Sequence, residues 1–258
     1  MKKIMLFLFL IFFVVVATAH SGQFGPPEPA AKDKHWVLDV GYFYSESKWS
    51  PSNSDSFNEG VVKQNQAYVQ ASYGFLKNFE GYARVGGVSM KIDGSFDFDN
   101  SQDFNSGFKP FVTIGMKRFF NINHYLGISP FVQGSLFSDY SDQKTGTVTV
   151  SGLQFPVSAD ISFKRPWEIN AGLGLQTKIK EAILYTGPFL YWSGADAETT
   201  IKISTFTFQS SAAYSDKNNV GVFVGLKLPL ALVRNLNFNL EAQFRSWVST
   251  GLAMSYMF

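Results

Sequence analysis

The chain has 258 residues, and its 22 basic and 20 acidic side chains become equal in number once Lys2 and Lys3 are set aside, so charge gives no argument for nucleic acid as a partner. It has no cysteine, which excludes disulfide and thiol chemistry. Aromatic residues make up 17% of it, 27 of them Phe, while only 16% of residues are charged. A soluble domain rarely needs such a balance, whereas a membrane barrel shows aromatic girdles to lipid and hides polar groups inside.

Met1-Lys2-Lys3, the apolar run Ile4 to Val16 and Ala17-Thr18-Ala19 have the three-part plan of a secretory signal peptide. The apolar run is about 13 residues, short of the roughly 20 that a spanning helix needs. Residues 1–19 are therefore expected to be removed, leaving His20 first. The Gly- and Pro-rich stretch that follows (GQFGPPEPAA, 22–31) has no periodicity, and residues 20–35 are expected to form a flexible periplasmic lead-in. Residues 36–258 are read as one barrel.

From Trp36 onward the dominant signal is period two, the mark of strands with two unlike faces. Trp36, Leu38, Val40, Tyr42 and Tyr44 oppose Asp39, Gly41 and Ser45, and Ala67, Val69, Ala71, Tyr73 and Phe75 oppose Gln64, Gln66, Gln70 and Ser72. Further strands are expected at about 80–92, 108–120, 125–138, 165–178, 182–193, 219–230, 235–246 and 249–258, ten in all, with eight or twelve as alternatives. Each has roughly the 9 to 11 residues that carry a tilted strand across a bilayer.

Short connections at 76–79, 121–124, 178–181 and 231–235 alternate with long polar ones at 46–63, 93–107, 139–164 and 194–218. Barrels place short turns in the periplasm and long loops outside, so both termini are expected on the periplasmic side. Thr147 to Val150, Val157 to Phe163 and Thr199 to Phe208 keep alternating, which predicts hairpins projecting above the membrane.

The chain ends with Leu252, Met254, Tyr256 and Phe258 on one face. This resembles the terminal strand of bacterial outer-membrane β-barrel proteins, and the chain is similar to the small-barrel superfamily of the outer-membrane protein A and X types. The resemblance implies an all-β, up-and-down transmembrane barrel in the cell outer membrane. It also implies that outer-membrane lipid surrounds the chain, and that the barrel assembly machinery reads those four residues. A soluble sandwich or lipocalin-like barrel leaves the aromatic C-terminus unexplained.

With the aliphatic faces toward lipid, the lumen receives a polar network of Asp39, Glu80, Arg84, Lys109, Lys117, Glu168, Lys227, Glu241 and Arg245. Both signs of charge predict internal ion pairs rather than a selectivity ring of one sign. Phe43, Tyr68, Phe111, Phe131 and Phe223 are expected to point inward and obstruct a bore that is narrow at ten strands. Tyr42, Tyr44, Tyr73, Trp167, Tyr191, Trp192, Trp247, Tyr256 and Phe258 are assigned to aromatic belts.

Small-barrel hydrolases typically use His, and His20, His35 and His124 all fall on the periplasmic side of this topology. No catalytic, cofactor or metal site is expected. Asp93, Asp97, Asp99 and Asp103 do not follow an EF-hand loop and are read as a solvated cluster. Phe57, Phe206 and Phe208 are candidates for a partner surface or for packing the hairpins, with no extracellular ligand specified. The expected role is structural or surface-interactive, with a narrow porin-like channel as the alternative.

Overall fold

The structure is a computed structural model, and it describes residues 24–31, 34–51, 60–96, 102–216, 219–230, 233 and 235–258. The segment read as a signal peptide lies outside them. Thirteen strands are present among the described residues: β1 (Trp36–Pro51), β2 (Gly60–Leu76), β3 (Phe79–Phe96), β4 (Gln102–Arg118), β5 (Phe120–Asn121), β6 (Leu126–Phe137), β7 (Tyr140–Val150), β8 (Leu153–Ile179), β9 (Ala182–Ile203), β10 (Phe206–Asp216), β11 (Val220–Pro229), β12 (Leu236–Phe244) and β13 (Val248–Met257).

Antiparallel pairing runs β1–β2–β3–β4–β6–β8–β9–β11–β12–β13 and returns to β1, closing a ring through ten strands. The seam joins the first and last strands in the register Leu38↔Tyr256, Val40↔Met254 and Tyr42↔Leu252. Each strand segment expected from the sequence coincides with one member of this ring, overrunning it by no more than two residues at either end. Several are far longer than the expected length, β8 reaching 27 residues, because they continue beyond the bilayer. A fifth outer connection, the tight turn at 245–247, is short.

The outer surface decides the environment. Val85, Ile114, Leu136, Ile169, Leu184, Val222 and Leu240 all face outward, Ile114 at 66% exposure and Leu136 at 64%. Such residues recur on strand after strand. In water they would form an apolar surface much larger than the few hundred Å² that soluble monomers tolerate. In a bilayer they are lipid contacts. A closed antiparallel ring, apolar outside and polar within, satisfies every ladder without an edge. The protein is a transmembrane β-barrel of the outer-membrane type.

Above the ring stands a second storey. β7 pairs with the upper half of β8, from Tyr140↔Phe163 to Val150↔Leu153. Upper β8 pairs with upper β9, and β9 with β10. β10 returns to β1 through Trp49↔Asp216, Ser50↔Ser215 and Pro51↔Tyr214, passing over the three short strands β11, β12 and β13. On the other side Asn105 N–H donates to Asp142 Oδ2 (2.7 Å), tying β4 to β7. The hairpins expected from the alternating loops are therefore walls of a common outer body. Its interior is dry, with Trp49, Val62, Met90, Phe104, Tyr140, Phe163, Ala195 and Ala197 in one buried cluster.

The two storeys meet at phase changes. In β8, Trp167, Ile169, Leu173 and Leu175 face lipid while Val157, Ala159 and Phe163 face the outer core, although all are odd-numbered. A bulge between Lys164 and Trp167, with Arg165 at φ 51°, produces the inversion. β4 does the same with Gly107 at φ 63°, where only glycine is at ease. β9 needs no bulge, because it changes its sequence pattern instead. Its even positions are Leu184, Leu190 and Trp192 toward lipid, then Asp196, Glu198 and Lys202 in the outer storey.

Candidate functional site: a plugged lumen

Residues 24–31, part of the expected flexible lead-in, lie inside the barrel. Phe24, Pro26, Pro27 and Ala31 are buried. Phe24 N–H and Gly25 N–H donate to the two oxygens of Glu241 (3.1 and 2.9 Å). Lys117 Nζ donates to the Pro26 carbonyl (3.0 Å), Glu28 N–H to Gln176 Oε1 (2.7 Å), and Ala31 N–H to Glu80 Oε2 (2.8 Å). Lys178 pairs with Glu28 at 2.8 Å. A Pro-rich segment cannot enter a sheet, since proline has no N–H for the ladder. Here wall side chains take up its backbone groups instead, as burial demands.

The Phe24 ring fills an aromatic box. Its centroid is 4.6 Å from that of Phe131, 4.8 Å from Phe189 and 5.3 Å from Phe223, the last two edge-on. Tyr185 lies beside them over Gly225, where any Cβ would collide with its ring. That clearance lets the Tyr185 hydroxyl reach Glu241 Oε2 at 3.3 Å. Gln243 Nε2 donates to the other oxygen at 2.8 Å.

The predicted network resolves into two groups and one outlier. Asp39, Glu80, Arg84, Lys117, Lys227 and Glu241 form a lower cluster of three acids and three bases. Glu80 and Lys117 pair at 3.2 Å with almost no exposure. Arg84 donates twice to Gln70 Oε1 (3.1 and 2.8 Å) and lies 4.1 Å over the Tyr68 ring, while Gln70 donates to Asp39 (3.1 Å). Lys227 and Asp39 line the same cavity beside the plug. Higher up, Arg245 pairs with Glu168 (3.0 Å) and stacks over Tyr191 at 4.7 Å. Lys109 joins neither group; it stands half-buried opposite Val88, near the outer storey.

At the join between storeys the Ser193 hydroxyl donates to Asp216, the last residue of β10. Burial pushes the Asp216 carboxyl up to about 6, against the lowering pull of Ser193 and Arg245. Two cavities among these groups, about 10 and about 30 Å³, are of single-water size. Phe43, Tyr68, Phe111 and Phe223 point inward and are buried, with Phe131 packed beside them. The lumen is filled at three heights: by the plug, by charges and rings, and by the dry outer core.

Other expectations find their places. Leu252, Met254, Tyr256 and Phe258 lie on the lipid side of the seam, Phe258 67% exposed. Tyr191 does not belong to an aromatic belt: it is fully buried over Arg245, because its neighbour Trp192 takes the lipid face and adjacent residues in a strand point opposite ways. His35 and His124 are exposed at the periplasmic end, and His20 lies outside the described residues. Asp93 pairs with Lys63 and Lys91, and Asp103 with Lys91 (2.8 Å); Asp97 and Asp99 lie outside the described residues, as does Phe57. Hydrogen bonds from Lys63 and Lys91 hold the Asp93 carboxyl below its ordinary range. Phe206 and Phe208 are exposed near the hairpin tip.

The sequence reading missed Phe24, Gln133, Tyr185 and Phe189 as lumen residues. Tyr185 and Phe189 carried a usable signal, since they share the odd phase of β9 with Ile183 and Tyr191. Phe24 carried none.

No protein-family model matches the chain, and no curated protein sequence matches it. Among solved structures, the chain is similar to the translocator domain of the autotransporter NalP from Neisseria meningitidis, with 7% identity, 88% of this chain and 90% of that one covered, and a TM-score of 0.47. It is similar to the outer membrane protease OmpT from Escherichia coli (9% identity, 87% and 97% covered, TM-score 0.45). It is also similar to the toluene transporter TodX from Pseudomonas putida (11% identity, 93% and 94% covered, TM-score 0.42).

Proposed function

We propose that this chain is a closed, non-enzymatic outer-membrane barrel with a structural or surface-interaction role, presenting its outer storey to the cell's surroundings. The observation that carries the reading is the filling of the lumen at three heights. An aqueous path must displace the plug, break the Glu80–Lys117 and Glu168–Arg245 pairs and part the dry outer core. The exposed positions of His35 and His124, away from the buried carboxylates, support the non-enzymatic part. Outer-membrane lipid covers the apolar belt, and the assembly machinery reads the C-terminal strand. The test is single-channel recording of the refolded protein in a planar bilayer. The expected result is a flat baseline with a folded barrel present. Reproducible discrete steps would replace this reading with a narrow channel.

A further inference from the structure

The wall around Phe24 has the shape of a ligand site already in use. From its backbone nitrogen through Cα and Cβ to its ring, Phe24 is an arylethylamine skeleton. The nitrogen donates to Glu241 Oε1 at 3.1 Å, and the ring sits among Phe131, Phe189 and Phe223 at 4.6 to 5.3 Å. Glu241 is 4% exposed, and Tyr185 and Gln243 orient it from the wall side. Both Glu241 oxygens accept from the plug, one from Phe24 and the other from Gly25.

We propose that this mid-lumen pocket is a binding site for primary arylethylammonium ions entering from the periplasmic end, and that Phe24 is its resident, exchangeable occupant. Two features make the exchange physical. Among the described residues, 24–31 makes no ladder hydrogen bond with the ring; single side chains and one ring hold it. When it withdraws, Glu241 loses two N–H donors inside an aromatic box, an environment that calls for a cation. An ammonium two carbons from a phenyl ring restores both contacts, and makes the charge-assisted hydrogen bonds to Glu241 that a neutral amide cannot. Arg84, Lys117 and Lys227 outnumber the other two carboxylates of the cluster, Asp39 and Glu80, by one, so the ammonium is held by its direct contact with Glu241 and by the aromatic box. Binding needs no through-path, so a closed barrel can hold such a ligand from one side.

The test uses the full mature chain in detergent and 2-phenylethylammonium as the probe, with titration calorimetry. Phe24→Ala, which removes the ring outside the barrel wall, is expected to bind at least tenfold more tightly than the unaltered protein. It should also prefer the ammonium to 2-phenylethanol by at least tenfold, and Glu241→Gln in that background should abolish the preference. Equal binding by both proteins, or by amine and alcohol, overturns the proposal. An independent measurement avoids the Phe24 variant. The chain has no cysteine, so Pro27→Cys supplies a single thiol on the plug. Saturating 2-phenylethylammonium should speed its labelling by a water-soluble thiol reagent at least fivefold, and an unchanged rate overturns exchange.

Discussion

Lys117 stands between two acceptors, the Glu80 carboxylate and the Pro26 carbonyl, with its side chain 7% exposed. Replacing it with Met leaves Glu80 buried with only the Ala31 N–H facing it from the plug, and removing one member of a buried pair costs about 3–5 kcal/mol. Lys117→Met is expected to lower the urea midpoint accordingly, while Glu80→Leu with Lys117→Met recovers most of the loss. Asp216 predicts a pH effect. Its folded-state pKa of about 6 lies above the ordinary carboxyl value of 3.8, so between those values the folded protein holds a proton that the unfolded chain has released. Stability must therefore fall as pH rises from about 4 to about 6, by on the order of 3 kcal/mol, and stay level above that. Asp216→Asn should remove the fall, read as the unfolding midpoint at pH 4.5 and 7.5.

At the scale of elements, the ring strands were legible because each buries one face and shows the other to lipid. β12 is the clearest case: Asn239, Glu241 and Gln243 face inward and Leu240 and Phe244 outward, in strict alternation. The outer storey was half legible. Alternation at Val157 to Phe163 revealed the hairpins, but no local signal says that β10 crosses three strands to meet β1, because that pairing depends on how short β11 to β13 are. The plug was illegible. A Gly-Pro-Pro-Glu-Pro run lacks periodicity whether it is solvated or held by side chains 49 to 217 residues away. The C-terminal strand yields a prediction here. Phe258 N–H donates to the Trp36 carbonyl (3.2 Å) at the foot of the seam, and its ring packs edge-on against Tyr256. Deleting Phe258 should impair membrane assembly, seen as loss of the heat-modifiable band from the outer-membrane fraction. A normal band there would count against the assembly-signal proposal.

At the scale of the molecule, the seals are in series. Loosening the plug leaves the Glu168–Arg245 pair and the outer core in place, so Phe24→Ala is expected to stay silent in the planar bilayer even where it binds the ammonium probe. The lumen holds paired charges of both signs, Glu80–Lys117 and Glu168–Arg245, and their division into two levels follows strand stagger that the sequence does not display. Lys109 fell outside because the bulge beside Gly107 lifts that part of β4 toward the outer storey.

The phase change in β8 and the change of residue type along β9 work as a depth gauge. Trp167 and Trp192 are the last large lipid-facing rings on those strands, and the outward ion pairs Lys164–Glu198 and Arg165–Asp196 follow just above them. Sinking the barrel by one more residue pair would drag those charges into hydrocarbon, and raising it would strip lipid from the rings. The waterline is thus written into the strands themselves, and the barrel floats at one height.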